Sequence, residues 1–234
     1  MSQINETQSN QLPSTGTPTQ RSLKDMPKRW APLIGAFALG LLYALLPEYV
    51  TIGPSWLPLA LISIILIPVI LIIYVRRHRP VPIVPIRVLL FIMLGVVTLA
   101  LAIGVALMLK TLPGRTQAQS IQLLRTAGLL WTSNILVFGL WYWEIDGGGP
   151  HKRFMAGHPA ADFMFPQQVD GNTSGWEPHF FDYLFVAFTA ATAFSPTDTY
   201  PLTWKAKALM MIEGIIALVI SVILVGRAIN ILGQ

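Results

Sequence analysis

The chain has 234 residues, of which 53% are hydrophobic and only 12% are charged, with a formal net charge of +5. Because a soluble domain usually carries about 25% charged residues, this composition predicts a membrane protein and excludes an ordinary water-soluble domain. The absence of cysteine excludes disulfides, thiolate metal sites and cysteine nucleophiles. The basic residues flank hydrophobic runs, as in cytoplasmic loops of membrane proteins, so no nucleic-acid partner is expected.

The N-terminal part divides into a polar tail and a hydrophobic region. Residues 1–28 are rich in Ser, Thr, Gln, Asn and Pro, which predicts a disordered tail because they cannot bury enough apolar surface. Residues 29–143 predict four transmembrane helices, since crossing a bilayer takes about 20 apolar residues. Their apolar runs cover residues 30–46, 56–75, 88–109 and 121–143. The connector RRHRPVPIVPIR after the second run is strongly basic, which predicts a cytoplasmic position for it and for the N-terminus.

Residues 144–179 differ in composition from the apolar runs before them, because they are rich in Gly and Pro and have no long apolar period. They predict a surface loop. Its histidines, His151, His158 and His179, lie near acidic residues but at no metal-binding spacing, so solvated side chains are predicted and no metal or cofactor site. No catalytic constellation has a local signature either, and the chain is not expected to be an enzyme.

Residues 180–234 comprise a short aromatic segment, a polar turn and a closing helix over 205–232. The apolar segment 180–194 is short for a full crossing, so it either spans the bilayer or re-enters it. A crossing places both termini in the cytoplasm, and a re-entrant segment places the C-terminus outside. Arg227 and the scarcity of basic residues over 189–203 favour the crossing.

The predicted fold class is therefore all-α, a polytopic transmembrane helix bundle of five to six membrane helices, with 180–194 either spanning or re-entrant. The predicted location is a bacterial plasma or inner membrane, crossed several times. The expected partners are the lipid bilayer and further copies of the chain in a homo-oligomer.

Three polar side chains lie within the apolar runs, where burial of an ionisable group usually has a reason. Two hypotheses apply to Glu213. It pairs with a cation, or it belongs to an ion or proton path. The candidate cations are Arg125, Lys205 and Lys207. Asn134 is predicted to form an interhelical hydrogen bond, and it and Arg125 are the candidate intramembrane polar partners.

The last third has the order of a pore helix, a filter and an inner helix. Its candidate polar path comprises Thr189, Thr192, Thr197, Asp198 and Glu213. In potassium channels the filter's backbone carbonyls replace the ion's hydration shell, and glycines permit the required backbone conformation. The strip 189–194 contains no glycine, so potassium selection by that mechanism is not expected.

The pattern DYLFVAFTAATAFSPTDT, followed by a basic patch and a helix ending in AINILG, resembles the C-terminal signature of a bacterial family of inner-membrane proteins of unknown function. The basic connector and the aromatic stretch WYWEID are similar to that family's layout. The resemblance covers most of residues 30–233. It implies architecture rather than an activity, and the chain departs from the family in its longer loop 147–178 and its polar tail.

Three functions are compatible with these features. The first is a channel-like or transport protein that uses the candidate polar path. The second is a non-conducting scaffold or assembly factor that docks a partner on the loop 144–179, with aromatic anchors at Phe154, Phe163, Phe165 and Trp176. The third, a membrane enzyme, has the least support because no constellation of loop carboxylates and histidines is recognisable.

Overall fold

The computed structural model describes residues 30–51, 53, 54, 60, 63, 84–112, 120–192 and 198–232. Within them lie six α-helices, named in chain order α1 Trp30–Ala44, α2 Val84–Thr111, α3 Ser120–Ile145, α4 Pro150–Ala156, α5 Phe180–Thr192 and α6 Trp204–Leu232. Two short strands, β1 Phe163–Met164 and β2 Tyr200–Pro201, pair in antiparallel fashion. Single 3-10 turns lie at Glu48–Val50, Asp146–Gly148 and Pro166–Gln168.

Four predicted apolar runs are helical in the structure: 30–46, 88–109, 121–143 and 205–232 correspond to α1, α2, α3 and α6. The tail 1–28, most of the run 56–75 and most of the basic connector lie outside the described residues. The aromatic segment predicted over 180–194 is helical as far as Thr192.

Three described helices are long and apolar enough to cross a membrane: α2 over Arg87–Thr111, α3 over Ile121–Gly148 and α6 over Trp204–Ile229. Two apolar helices, Pro32–Ala44 and Phe180–Thr192, are shorter. The outward face of α6 is a continuous apolar row, formed by Met211, Ile215, Leu218, Val222, Val225 and Ile229. Soluble proteins rarely expose contiguous apolar surface of this extent, so this face is suited to lipid.

Helix α3 is the centre of the bundle, because 61% of its candidate span is buried against 22% for α6. Helices α1, α2, α5 and α6 all pack against it. Its inward side chains include Leu123, Leu130 and Phe138, all fully buried. Helix α3 therefore contacts each of the other long helices and α5.

Residues 146–179 together with β2 form a small folded unit at one end of the bundle. We call this unit the cap, the end it covers the cap end, and the opposite end the far end. Helix α1 begins at the cap end, where Gly35 lies against the Phe180 ring. It then runs toward the far end, and near its last turn the Tyr43 hydroxyl donates to the carbonyl of Val97, in the middle of α2, at 3.1 Å.

The three long helices alternate in direction. Helix α2 begins at the cap end, where Arg87 donates to the Glu144 carbonyl at 3.2 Å. Helix α3 returns from the far end to the cap, and α6 descends again until Arg227 donates to the Leu112 carbonyl at 3.2 Å. Both α2 and α6 are therefore antiparallel to α3.

Helix α5 also descends from the cap end along α3. Its first residue, Phe180, packs edge-on against Trp143, and Phe188 packs edge-on against Trp131, twelve residues earlier in α3. Its 13 residues have a length of about 20 Å at about 1.5 Å per residue, which is short of the bilayer's hydrocarbon core of about 30 Å.

The chain after α5 lies at the cap end again, because Tyr200 of β2 pairs with Met164 in the cap. An extended chain from Thr192 to Tyr200 reaches at most about 29 Å, which suffices for this return. The segment beginning at Phe180 thus enters and leaves at the same end of the bundle. The re-entrant alternative fits this arrangement better than the crossing that the basic residues favoured. The position of the segment in a bilayer stays a prediction.

The cap is a packed unit rather than a solvated loop. Phe154, Phe163 and Phe165 are buried, and the Phe165 ring contacts both Trp176 and Tyr183. His158 is also buried, so the prediction of solvated loop side chains is wrong there, although His179 is exposed as predicted. The cap has no sequence period because its order comes from contacts with the bundle end.

Candidate functional site

Glu213 lies on α6 at its interface with α3 and is completely buried, at 0% exposure. Its Oε2 atom accepts a hydrogen bond from the Tyr142 hydroxyl. Its Oε1 atom has no hydrogen-bond partner among the described residues. The two side chains meet because helical side chains lean toward their own N-terminus, and α3 and α6 run in opposite directions.

Asn134 lies near the middle of α3 and is also fully buried. Its Nδ2 atom donates to the Glu213 backbone carbonyl at 3.4 Å, so the predicted interhelical hydrogen bond is confirmed. Its Oδ1 atom has no donor within the described part of the chain. Glu213, Tyr142 and Asn134 together form a polar cluster inside an otherwise apolar interface, which we call the Glu213 cluster.

The Glu213 cluster contains two buried acceptor atoms, Glu213 Oε1 and Asn134 Oδ1, for which the described residues supply no donor. Each such atom costs about 1–3 kcal/mol relative to a satisfied one. An ionisable group buried at this cost, in a helix long and apolar enough to cross a membrane, indicates a functional site, since an apolar residue would fill the same space more stably. The two free acceptors are suited to a proton or a small cation.

The predicted cation partners of Glu213 are not its partners in the structure. Arg125 is exposed near the start of α3, and it precedes Tyr142 by 17 residues, or about 25 Å of helix. Lys205 and Lys207 are exposed at the cap end. The cation-pairing hypothesis is therefore wrong. Tyr142 was missed because it lies in the stretch WYWEID, a pattern typical of aromatic residues at a membrane surface.

The threonines of the candidate polar path lie on the last turns of α5. Thr189 donates to the Val186 carbonyl at 2.9 Å, and Thr192 donates to the Phe188 carbonyl at 2.8 Å. Their hydroxyl hydrogens are therefore engaged by their own helix, and no hydrogen bond between them and Glu213 occurs in the described residues. Thr197 lies outside the described residues, and Asp198 is exposed at the cap end.

The C-terminal end of α5 points into the bundle, away from the cap. A helix C-terminus carries a partial negative charge equivalent to about −0.5 elementary charge, because its last carbonyls have no intrahelical donors. The end at Thr192 therefore contributes negative potential within the depth of the bundle. Negative potential at this depth favours a cation over an anion.

Asp146 ties the cap to the helices around it, and it is 1% exposed. Its Oδ1 atom accepts from the backbone N–H groups of Asp162 at 2.9 Å and Phe163 at 3.1 Å. Its Oδ2 atom accepts from the Tyr183 hydroxyl at 2.5 Å. This single carboxylate therefore joins the end of α3 to β1 and to the first turns of α5.

Arg153 of α4 balances the charge of Asp146 and is 2% exposed. Its Nη1 atom lies 3.7 Å from Asp146 Oδ2 and donates to the carbonyls of Trp143 at 3.1 Å and Asp146 at 2.7 Å. Its guanidinium also lies over the Trp143 and Tyr183 rings, at 4.9 and 5.1 Å from their centres. We call Asp146, Arg153 and Tyr183 the cap clamp.

Asp162 extends the attachment to α6. It accepts from the Gly147 N–H at 3.0 Å through Oδ2 and from the Thr203 hydroxyl at 2.6 Å through Oδ1. Thr203 immediately precedes α6. The start of α5 and the start of α6 are therefore fixed to the same folded unit, which sets the relative position of the two helices.

Within the described residues, no group of three or more histidine, aspartate or glutamate side chains is arranged to hold a metal ion. No protein-family model, curated protein or solved structure matches the chain. The resemblance to the bacterial inner-membrane family stays a prediction. The function is therefore argued from the site itself.

Proposed function

We propose that this protein is a channel-like membrane protein that conducts a small cation or protons along α5 and α6. The observation that carries the proposal is the half-length helix α5, which lies in the same bundle as a helix with a buried glutamate. It starts at the cap end, and the chain is at the cap end again by Tyr200. In membranes, half-helices of this kind occur where they line an ion or substrate path.

The charges of this region favour a cation. The C-terminal end of α5 and the Glu213 carboxyl both lie within the depth of the bundle, and half-helix C-termini coordinate cations in secondary transporters. Asp198, exposed at the cap end where the chain returns from α5, adds a carboxylate at the mouth of the proposed path. Anions would meet negative potential at the C-terminal end of α5 and at Asp198.

The composition of the strip 189–194 restricts which cations the proposed path could select. Because the strip has no glycine, a potassium filter built from backbone carbonyls is not part of the proposal. A buried carboxyl next to a tyrosine hydroxyl suits proton relay, in which the Glu213 Oε1 atom receives the proton. Protons and hydrated monovalent cations are therefore the species to test.

The proposed orientation places the cap in the cytoplasm. Among the described residues, the cap end carries Arg87, Lys152, Arg153, Lys205 and Lys207. The far end carries Lys110, Arg125 and Arg227. Because cytoplasmic segments have the excess of basic residues, the N-terminus would be cytoplasmic and the C-terminus would lie on the opposite side. A bacterial inner membrane, as the family resemblance implies, is part of the same proposal.

The scaffold alternative loses three of its four predicted anchors, because only Trp176 is partly exposed. Phe154, Phe163 and Phe165 are buried within the cap and are unavailable to a partner protein. Self-association of the chain stays a prediction, because lipid alone accounts for the exposed apolar row on α6. No catalytic residue is proposed.

The test is ion flux in vesicles that contain the purified full chain, measured for protons, sodium and potassium. We expect flux above that of empty vesicles, and we expect Glu213→Gln to lower it about ten-fold or more, equivalent to about 1.4 kcal/mol of lost stabilisation of the moving ion. The matched control is Glu48→Gln, which removes an exposed carboxylate outside the bundle core and should leave flux unchanged.

Two outcomes contradict the proposal. One is wild-type flux no greater than that of empty vesicles for all three ions. The other is equal flux in wild type and Glu213→Gln while both remain monodisperse in detergent, because Glu213 then has no part in the path.

A further inference from the structure

A groove of about 620 Å³ lies at the cap end between α2, α3 and α6. It is separate from the Glu213 cluster and from the cap clamp, none of whose residues line it. Its cation-bearing wall contains Arg87 of α2 and Lys205 of α6, and its apolar wall contains Phe91, Trp141, Leu209 and Ile212. The volume is in the range of pockets that hold small organic ligands, about 300–1,000 Å³.

The cationic part of the groove has unused hydrogen-bonding capacity. Arg87 donates one bond, from Nη2 to the Glu144 carbonyl, and its guanidinium lies over the Phe91 ring at 5.3 Å. Its buried Nε atom has no acceptor among the described residues. Lys205 is exposed. The groove therefore has two cationic side chains, and the Arg87 Nε–H is available to donate a further hydrogen bond. These features indicate an anionic occupant.

The acidic residue in the groove does not neutralise these cations. Asp162 lines the groove, but both of its carboxylate oxygens already accept hydrogen bonds, one from Gly147 and one from Thr203. Its single negative charge offsets only one of the two cations. The charge presented to an occupant remains positive.

The apolar part of the groove lies on the membrane side of the cations. Phe91 and Trp141 stack with ring centres 5.7 Å apart, and Ile212, one turn further into α6 than Ala208, is partly exposed. Trp204 stands at the cap end of the groove and is 76% exposed, a position typical of tryptophans at the headgroup level of a bilayer. The groove is cationic at the cap end and becomes apolar further into the bundle. A bilayer changes in the same direction, from polar headgroups to acyl chains.

We propose that this groove binds one anionic phospholipid, with its phosphate against Arg87 and Lys205 and an acyl chain along Phe91, Trp141 and Ile212. Basic pockets between transmembrane helices at the cytoplasmic side bind anionic headgroups by the same chemistry. A free phosphate would use the cations but leave the apolar wall unfilled, and a zwitterionic lipid would bring a second positive charge to Arg87 and Lys205. Neither matches the groove as well as an anionic lipid.

The test is lipid retention by the purified full chain, measured by native mass spectrometry in detergent with added phosphatidylglycerol or phosphatidylcholine. We expect a preference for phosphatidylglycerol, and removal of both cations in Arg87→Gln/Lys205→Gln to lower its affinity about ten-fold or more. The matched control, Arg125→Gln/Lys207→Gln, removes one arginine and one lysine that are exposed and lie outside the groove. It should retain the wild-type affinity.

Inorganic phosphate added as a competitor distinguishes the two sources of the anion. Competition at millimolar phosphate would overturn the lipid assignment, because the headgroup alone would then account for binding. Equal retention of the two lipids, or an equal loss in the control, would also overturn it. If the double variant is unstable, Lys205→Gln alone serves, since Lys205 is exposed, and an unchanged affinity there counts against the proposal. The readout does not depend on ion flux.

Discussion

At the residue scale, Asp146 is the carboxylate that connects the cap to the helices around it. It is buried, it accepts three hydrogen bonds, and it faces the buried Arg153 guanidinium. A buried charge of this kind contributes little net stability while its partner is present. It becomes costly when one partner is removed and the other stays buried.

Asp146→Asn tests the cap clamp. The substitution keeps the shape of the side chain but leaves Arg153 without its counter-charge, so we expect a loss of roughly 3–5 kcal/mol in the stability of the cap. Limited proteolysis of the segment 157–175 and thermal unfolding in detergent would measure it. Asp170→Asn is the control, because Asp170 is exposed in the same cap. Equal protease resistance of the two variants would contradict the role given to Asp146.

Sequence alone identified some of these residues and missed others for a physical reason. Glu213 and Asn134 were identifiable because polar side chains are unusual inside apolar runs. Asp146 and Arg153 were not, because each lies among glycines, prolines and other charges where solvent exposure is the normal outcome. The one local signal is Gly147-Gly148-Gly149, whose φ angles of 58°, 75° and 95° let the chain reverse from α3 into α4.

At the element scale, the close contact between α3 and α5 depends on Gly139. A Cβ atom added there would lie 3.2 Å from Leu184 Cδ1 and 3.3 Å from Leu184 Cα. Leu184 Cα belongs to the backbone and cannot rotate away. Small residues at helix interfaces allow such close approach in membrane proteins, where packing rather than the hydrophobic effect drives association.

Gly139→Ala should therefore separate α5 from α3 and destabilise the protein by about 1–3 kcal/mol. Gly128→Ala is the matched control on the same helix, since an added Cβ there meets no atom of the described residues within 4 Å. Alanine should improve helix propensity at that position by up to about 1 kcal/mol. Thermal unfolding of both variants in detergent measures the difference. Equal stability of the two alanine variants would show that the contact between α3 and α5 does not require a glycine at position 139.

The helices were largely predictable from sequence, whereas the path of α5 was not. Apolar runs indicate helices because a membrane requires every backbone group to be bonded within its own segment. The length of the segment starting at Phe180 was compatible with a crossing or a re-entrant path, and the basic residues favoured the crossing, which fits the structure less well. What decides it is the pairing of β1 with β2, two residues long in each strand. Strands this short have no sequence signature.

At the scale of the whole molecule, the long helices form a scaffold around α3 and the cap fixes the relative position of α5 and α6. The cap clamp holds the start of α5, and Asp162 holds the start of α6 through Thr203. The proposed ion path along α5 and α6 depends on a re-entrant α5.

Single-cysteine labelling with a membrane-impermeant reagent tests re-entrance directly, and the chain provides a cysteine-free background. The positions are Asp170→Cys in the cap, Asp198→Cys after α5 and Lys110→Cys at the far end, all exposed. We predict that Asp170→Cys and Asp198→Cys are labelled from the same face of the membrane and Lys110→Cys from the other. Labelling of Asp198→Cys from the face that labels Lys110→Cys would show that α5 crosses the bilayer. It would contradict both a re-entrant α5 and the ion path that depends on it.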